Sequence, residues 1–485
     1  MNNQNNEEPE VRPPFIIVQP GYATGDMFAI AATLINDERY HVLLSTTMDE
    51  FENVNDPYDN SKSIREFYRN SGISEDRIHT HRVPEVRSPG LASELKKEVI
   101  NLLIHYPNIS KGEIIRNYYK PVGEGTQYIA QNFSDEMRNN LRNVWDINGS
   151  QDNAIEIWLQ TQGIPTSGKN LLILWSRFSG KGGDIHIEHD TSYWGIKQIV
   201  HRVADMYDAI IITGDKGYIK ERAKKYDETA EEINRYYGPK KVFNITEFWK
   251  GNSSELKAWG GNTRLGQFKL YDYFQRHFQN VKHLGFRSGN LEVMAMLGYQ
   301  VRYMEEKGSE SGGRMTIWFN RRDGETEKGG KATGYERLLL GEPPTRSGKF
   351  IQNQIQEINR DIRERKEPFQ QKINELENAH EKADSPAMKN LNKEIKKIDD
   401  EGDAKKKKYA GSDLSPYRKD QKPPEPILKE EKSNYSEGFN TDDMDIILRY
   451  LQPLDWVERE TGYERNIPQR KKSYEKLLES SEKID

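Results

Sequence analysis

One segment of the chain combines an arginine, a serine and glycines at the junction between two apolar runs. Residues 283–298 read HLGFRSGNLEVMAMLG, a pattern that predicts a strand, a turn and a helix. The backbone N–H groups of such a turn and of a helix N-terminus can hold a phosphate. The segment therefore predicts a phosphate site at Arg287, Ser288, Gly289 and Asn290. In the helix that follows, Glu292 either hydrogen-bonds ribose hydroxyls or is an acidic residue favoured by the helix dipole.

A second basic segment, SRFSGKGG, follows the apolar run of residues 170–175. Arg177 comes directly after that predicted strand, and Lys181 lies in the glycine-rich loop that follows it. An arginine provides a bidentate fork for a diphosphate, and a lysine provides a point charge. The alternative is a surface loop with ordinary charges. The spacing is not that of a P-loop, so ATP hydrolysis is not indicated.

The first predicted strand, residues 15–18, is followed by a loop of small residues, QPGYATGD. Gly21, Thr24 and Gly25 would let the backbone approach a ligand, and a helix is predicted directly after the loop. Asp26 could take the proton of an acceptor hydroxyl as a general base. The alternative is that Asp26 caps the helix.

Two further segments contain candidate site residues. Thr213, Gly214 and Asp215 end another predicted strand, where they either contact the base or ribose of a nucleotide or form a tight turn and a helix cap. Residues 184–190, DIHIEHD, collect imidazoles and carboxylates of the kind that bind transition metals. They lack the HExxH spacing of a helical zinc site, so no metal is expected, and His186 is a second candidate base. A solvated loop is the other interpretation.

The composition limits the remaining classes. Of 485 residues, 34% are hydrophobic and 31% are charged, and the mean hydropathy of -0.93 predicts that part of the chain is elongated or solvent-exposed. The 72 basic and 77 acidic residues give a net charge of -5, which does not favour nucleic acid as a partner. The chain has no cysteine, which excludes disulfides and thiolate chemistry. Without a signal peptide or a long apolar run, a cytoplasmic protein with no membrane span is expected.

Strands and helices alternate along the first 345 residues, and a strand at residues 300–304 ends the predicted series. This order predicts an α/β protein with two Rossmann-like lobes built on parallel sheets. After residue 345, apolar residues at helical spacing, interrupted at Pro386, predict a helical hairpin with a narrow seam. A last helix is predicted at residues 442–451, packed back on the body. The predicted units are a disordered tail at 1–12, an N-terminal lobe at 13–162, a C-terminal lobe at 169–345, the hairpin at 346–410, and a linker with C-terminal helices at 411–485.

The segment HLGFRSGNLEVMAMLGYQVRYMEE resembles the donor-binding segment of GT-B glycosyltransferases, especially heptosyltransferase-like and fucosyltransferase-like members. The resemblance rests on Gly285, Ser288, Gly289, Ala295, Leu297 and Gly298. It implies phosphate binding at Arg287, Ser288 and Gly289. LLILWSRFSGK resembles the opening strand and loop of the donor lobe, which implies a basic contact to the donor diphosphate at Arg177 and Lys181. QPGYATGDMFAIAATL looks like the start of the acceptor lobe, which implies a catalytic carboxylate at Asp26.

The resemblance covers roughly residues 14–306, and the hairpin has no counterpart in those families. It implies a metal-independent glycosyltransferase that transfers a sugar from a nucleoside-diphosphate sugar, bound between an N-terminal acceptor lobe and a C-terminal donor lobe. The nucleotide sugar is a co-substrate, and no cofactor is implied. The hairpin would dock a protein acceptor or a partner chain. Two alternatives stay open: a non-catalytic nucleotide-binding or assembly protein, and a different enzyme on the same fold, such as an epimerase or a phosphoribosyl-type hydrolase.

Overall fold

The structure is a computed structural model that describes residues 12–49, 53–107, 109–177, 191, 193–216, 220–237, 241–306, 335–340, 348–378, 385–407, 439 and 441–452. Within these ranges the chain forms two parallel β-sheets, each covered by helices, followed by long C-terminal helices. The predicted α/β class with two lobes and a helical extension is therefore confirmed.

The N-terminal sheet is wholly parallel. Its described strands are β1 (Phe15–Gln19), β2 (Tyr40–Thr46), β3 (Ile78–Arg82) and β4 (Tyr119–Lys120). They lie in the order β3-β2-β1-β4. β1 and β2 are buried almost throughout, which agrees with their nearly unbroken apolar sequences.

Helices make the crossovers that parallel strands require. In this lobe they are α1 (Met27–Asn36), α2 (Ser61–Asn70), α3 (Leu91–Leu103), α4 (Lys111–Glu113), α5 (Glu124–Asn132), α6 (Asp135–Val144) and α7 (Asp152–Thr161), with a 3-10 turn at Glu75–Arg77 and a π-helical turn at Ile114–Tyr118.

The second sheet has the strand order of a doubly wound α/β fold. Its described strands are β5 (Gly168–Ser176), β6 (Ala209–Gly214), β7 (Val242–Asn244), β8 (Phe278–Phe286), β9 (Val301–Glu306) and β10 (Tyr335–Leu340), in the order β10-β9-β8-β5-β6-β7. Counted within the lobe, this order is 3-2-1-4-5-6, and its direction reverses between β5 and β8. The prediction that residues 300–304 end the series is wrong, because β10 pairs with β9.

The helices of the second lobe begin at α8 (Tyr193–Val203). The others are α9 (Lys220–Tyr237), α10 (Ser254–Ala258), α11 (Arg264–His277) and α12 (Gly289–Met296), with a 3-10 turn at Phe248–Lys250.

The two lobes share one hydrophobic core. The largest buried cluster contains side chains of β1 and α1 together with side chains of β5, α11 and α12. Phe268 of α11 packs edge-on against Phe28 of α1, with 5.6 Å between ring centroids, and lies 5.3 Å from the ring of Trp145. The lobes are therefore packed together as one body.

A buried carboxylate also joins the lobes. Asp272 of α11 is 1% exposed and pairs with Arg142 of α6 at 2.7 Å and with Arg276 at 2.8 Å. Tyr299 donates a further hydrogen bond to Asp272 at 2.7 Å. Moving the lobes apart would separate Arg142 from Asp272 and leave a buried charge without its partner, which is costly. The cluster therefore holds the two lobes in one relative position.

The C-terminal helices are α13 (Gly348–Asn378), α14 (Pro386–Lys407) and α15 (Thr441–Leu451). Ion pairs from Arg365 to Glu401 and from Lys366 to Asp399 show that α13 and α14 run antiparallel. α15 packs on α8 and β10 of the second lobe, which confirms the prediction that the last helix packs back on the body. Within the described residues, none of the helices is long and apolar enough to cross a membrane.

The first prediction concerns acid stability and a histidine in the second sheet. His283 of β8 is fully buried, and its Nδ1 accepts from the indole N–H of Trp175 at 3.1 Å. Burial lowers the pKa of His283 from 6.5 to about 3. Because the unfolded chain binds this proton more readily, the contribution of His283 to stability is present above pH 6.5 and is lost as the pH falls towards 3. At pH 5 the loss amounts to about 2 kcal/mol.

We expect that denaturant unfolding at pH 7.5 and pH 5 shows this loss in the wild-type protein. His283→Gln keeps an acceptor for Trp175 but does not titrate, so its stability should fall less, by a difference of about 2 kcal/mol. An identical pH dependence in the two proteins would contradict the assignment.

Candidate active site

Strand register brings two arginines to the same point of the second sheet. Trp175 of β5 lies opposite Gly285 of β8 in a parallel pair. Extending this register by two residues places Arg177 opposite Arg287, just beyond the carboxyl ends of both strands. Neighbouring strands lie about 4.8 Å apart. The two segments that the sequence predicts to bind phosphate are therefore adjacent.

The flanking strands add carboxylates on either side. Ser176 pairs with Gly214, so Asp215 lies beside Arg177. Phe286 pairs with Met304, so Glu305 lies beside Arg287. The resulting row across four strands is Asp215, Arg177, Arg287 and Glu305. It lies at the reversal of strand order, where open α/β sheets bind their ligands.

Glu305 pairs with two arginines at one end of this row. Its carboxylate is 1% exposed and pairs with Arg287 at 3.1 Å and with Arg337 of β10 at 3.9 Å. Two guanidinium groups therefore share one buried carboxylate, and the buried carboxylate of Glu292 lies close to the same group of charges. Arg337 was not predicted, because only the pairing of β10 with β9 brings it here.

The Ser288 turn forms the start of α12, as the sequence predicts. The Ser288 hydroxyl accepts from the backbone N–H of Leu291 at 3.2 Å, so this side chain caps the helix. Residues 287–290 are all partly exposed. Phosphate binding by Arg287, Ser288, Gly289 and Asn290 stays a prediction.

Gly289 lies at the contact between the lobes. A Cβ atom added to Gly289 would lie 2.1 Å from the carbonyl oxygen of Gly25, whereas a Cβ added to Gly25 would meet the backbone nitrogen of Gly289 at 3.9 Å. The loop after β1 and the turn after β8 therefore touch backbone to backbone. The candidate base Asp26 is the next residue after Gly25, so it lies beside the predicted phosphate turn.

Glu292 is buried one helical turn further on. It is 1% exposed, and its Oε2 accepts from the hydroxyl of Thr126 on α5 at 3.4 Å. This hydrogen bond crosses between the lobes. The predicted contact from Glu292 to a ribose stays a prediction, and the described partner of this carboxylate is a residue of the protein.

The two ends of the loop that follows β5, at Arg177 and Thr191, lie side by side. The backbone N–H of Arg177 donates to the Thr191 hydroxyl at 3.0 Å, and the N–H of Thr191 donates to the Arg177 carbonyl at 2.9 Å. Thr191 is buried and was not singled out from the sequence. Lys181 and His186 lie in the intervening segment, outside the described residues.

The segment after β6 is tied to β5. Gly214 has a φ of +95°, and a Cβ there would lie 2.1 Å from the Ser176 carbonyl, so only glycine fits. The Thr213 hydroxyl is buried and lies 2.7 Å from the hydroxyl of Tyr271. The Asp215 N–H donates to the Ser176 carbonyl at 3.0 Å. These bonds fix Asp215 beside Arg177, and the predicted nucleotide contacts of Thr213, Gly214 and Asp215 stay predictions.

Asp26 precedes α1, but its side chain makes no hydrogen bond to the amides of that helix. The capping alternative therefore does not account for this carboxylate, whose Oδ1 is buried. Burial, and after it the charge of Asp26, raises the pKa of the nearby Tyr68 hydroxyl well above its usual value. Tyr68 donates to the side chain of Gln19, which donates in turn to the Ala23 carbonyl at 2.9 Å. The loop that holds Asp26 is thus fixed from within the core.

Gly21 packs tightly against neighbouring parts of its own lobe and does not face a cleft. A Cβ at Gly21 would meet the Ser45 carbonyl at 2.5 Å. Its N–H donates to the Ser45 hydroxyl and its carbonyl accepts from Asn60, both at 2.9 Å. Gly25 is exposed and Thr24 is partly exposed. Of the predicted acceptor-side residues, Gly21 therefore shapes the loop, while Thr24 and Gly25 lie on its accessible side.

No known family model matches the chain, and no curated protein is similar to it in sequence. Among solved structures, it is similar to a family 9 glycosyl transferase from Veillonella parvula at 10% identity and a TM-score of 0.31, with 68% of this chain and 87% of that chain covered. Anabaena HepE in complex with UDP and glucose gives 11% identity and a TM-score of 0.30, with 60% and 81% covered. The E. coli ADP-heptose LPS heptosyltransferase II is 9% identical to it with a TM-score of 0.26, and the match covers 61% of this chain and 86% of that chain. Such distant likeness transfers neither residues nor an activity, so the architecture rests on the strand orders given above.

The second prediction tests the contact between the two loops. Gly289→Ala should lower the melting temperature by several degrees, because overpacking of a tight contact costs about 1–3 kcal/mol. Gly25→Ala is the matched control on the other side of the same contact, where the added methyl group fits. We expect its melting temperature to stay within about 1–2 °C of wild type. Equal melting temperatures of the two variants would show that the loops do not meet as described.

Proposed function

We propose that this protein transfers a glycosyl unit from a nucleoside-diphosphate sugar to a nucleophilic hydroxyl, without a metal ion. The observation that carries the proposal is the parallel register of β5 and β8, which ends at Trp175 and Gly285 where the strand order of the second sheet reverses. Two residues further on, the same register brings Arg177 and Arg287 together. Two guanidinium groups at that point suit the charge of a diphosphate.

The reaction breaks the bond between the anomeric carbon of the sugar and the oxygen of the diphosphate. The electron pair stays on the diphosphate, whose growing negative charge Arg177 and Arg287 stabilise together with the amides of the Ser288 turn. Arg337 supports this end of the site, because it shares the buried Glu305 carboxylate with Arg287. The arginines thus take the role that a divalent cation has in metal-dependent transferases.

Asp26 is the proposed base. It takes the proton of the acceptor hydroxyl as the new bond to the anomeric carbon forms. Its place in the chain supports this role, because Gly25, the residue before it, touches Gly289 of the donor turn. The remaining assignments belong to the same proposal: Lys181 on the diphosphate, His186 as a second base, Glu292, Thr213, Gly214 and Asp215 on the nucleoside, and Gly21, Thr24 and Gly25 towards the acceptor.

A second candidate function is a nucleotide-binding assembly protein that uses the hairpin for partner binding. The pairing of α13 with α14 favours it, because cross-helix ion pairs and the packing of Gly402 against Ile362 make a defined two-helix unit. In the transferase the same hairpin, within residues 346–410, would hold a protein acceptor or a partner chain. Turnover of a nucleotide sugar distinguishes the two functions.

The third prediction tests donor binding. In a thermal-shift panel of UDP, GDP, ADP, CMP, NAD and the corresponding sugar nucleotides, one nucleoside diphosphate should raise the melting temperature selectively. Arg177→Gln and Arg287→Gln should each weaken that ligand by about 10-fold to 100-fold, because a charge-assisted hydrogen bond contributes about 1.5–3 kcal/mol. Arg360→Gln, an exposed residue on α13, is the control and should respond like wild type. If both sheet variants also respond like wild type, the diphosphate site is wrong.

The fourth prediction separates binding from chemistry. Asp26→Asn keeps the shape of the side chain but removes the base, so donor binding should persist while turnover falls by about 100-fold or more. The measurement is release of the nucleoside diphosphate in the presence of an acceptor, next to the thermal shift of the same variant. Full turnover by Asp26→Asn would remove Asp26 from the mechanism.

A further inference from the structure

Three side chains form an exposed aromatic and basic cluster on the N-terminal lobe. The guanidinium of Arg87 lies 4.0 Å from the ring centroid of Tyr58 and 5.3 Å from that of Tyr22. Both tyrosine side chains are 40% exposed. We call Tyr22, Tyr58 and Arg87 the tyrosine–arginine cluster. Exposed aromatic rings beside an arginine are typical of surfaces that bind a ligand with an apolar face and a negative charge.

The cluster lies at the carboxyl edge of the N-terminal sheet. Tyr22 follows β1, Tyr58 follows β2 and Arg87 follows β3, so three consecutive strand ends supply one residue each. This is the edge of a parallel sheet at which ligands bind. Tyr22 also precedes Asp26 by four residues, which keeps the two backbones within about 14 Å of each other. Tyr22 and the proposed base therefore lie on the same loop, at the same edge of the sheet.

Hydrogen bonds to the backbone hold the three loops of the cluster in place. The carboxylate of Asp56 accepts from the backbone N–H of Tyr58 at 2.8 Å and from that of Val86, next to Arg87, at 3.0 Å. Gly21, next to Tyr22, is held by its hydrogen bonds to Ser45 and Asn60. The three loops are therefore fixed relative to one another before a ligand arrives, which reduces the entropy lost on binding.

We infer that the tyrosine–arginine cluster is the acceptor subsite of this protein and that it takes a sugar carrying a carboxylate or a phosphate. This inference rests on the proposed glycosyl transfer. The flat C–H face of a sugar ring stacks on an exposed tyrosine ring, and an arginine beside that ring can donate hydrogen bonds to an anion on the same sugar. Asp56 lies beside the cluster, and the whole chain is acidic, so a single anionic group fits better than a polyanion.

The test measures sugar binding to the full-length chain by calorimetry. The probes are trigalacturonate for the carboxylate, mannose 6-phosphate for the phosphate, and maltotriose as a neutral sugar. We expect one anionic probe to bind at least 10-fold more tightly than maltotriose. Arg87→Gln should weaken that probe at least 10-fold, and Tyr58→Ala should weaken both charged and neutral sugars.

Two exposed residues outside the cluster provide matched controls. Arg82→Gln removes an exposed arginine from the end of β3, and Ile104→Ala removes a 42% exposed apolar side chain. Both should bind the probes like wild type. The inference is overturned if neither anionic sugar binds at millimolar concentration, if Arg87→Gln binds them as wild type does, or if a single-stranded oligonucleotide binds more tightly than either sugar.

The thermal shift with nucleoside diphosphates distinguishes this inference from the proposed function. Arg87→Gln should keep the full nucleotide shift, because Arg87 lies in the other lobe from Arg177 and Arg287. Sugar binding that depends on Arg87, in a protein that no nucleoside diphosphate stabilises, would disprove the transferase and keep the cluster as a sugar site. A nucleotide shift without sugar binding would disprove the cluster alone.

Discussion

The parallel pairing of β5 with β8 is the constraint on which the proposed site depends. It places Arg177 and Arg287 side by side at the open edge of the sheet. Two positive charges on neighbouring strands repel each other, by roughly 3 kcal/mol at about 5 Å and an effective dielectric constant of about 20. The carboxylates of Asp215 and Glu305 flank the pair and offset part of this repulsion. Arg337 adds a further positive charge against Glu305.

The second constraint is the contact between the lobes. The shared hydrophobic core, the Asp272 cluster and the hydrogen bond from Thr126 to Glu292 hold both sheets in one arrangement. In that arrangement the backbone of Gly25 touches Gly289. In the proposed function, this contact brings the donor end at the arginine pair next to the acceptor end at Asp26. A catalytic function needs this alignment, because a base acts only within hydrogen-bond reach of its proton.

Local sequence was sufficient to predict the buried strands and the turns that follow them. Apolar runs before SRFSGK and FRSGN predicted β5 and β8, and the glycine and serine positions predicted the start of α12. β10 was missed, because its sequence YERLLL has no strict alternation and only pairing with β9 makes it a strand. β3 was missed for a similar reason, since IHTHR is a polar edge strand.

Sequence patterns alone could not predict that the candidate residues lie close together. Arg177 and Arg287 are 110 residues apart, and their register depends on sheet order. The same holds for Arg337, which lies far along the chain from the segment that it supports. Tyr22, Tyr58 and Arg87 each read as ordinary surface residues, and only the convergence of three strand ends brings them together.

A crystal structure with the nucleoside diphosphate that stabilises the protein most strongly tests the central claim most directly. We expect the diphosphate to lie across the ends of β5 and β8, with phosphate oxygens about 2.7–2.9 Å from the guanidinium nitrogens of both Arg177 and Arg287. A diphosphate bound anywhere else, or one that contacts neither arginine, would contradict it.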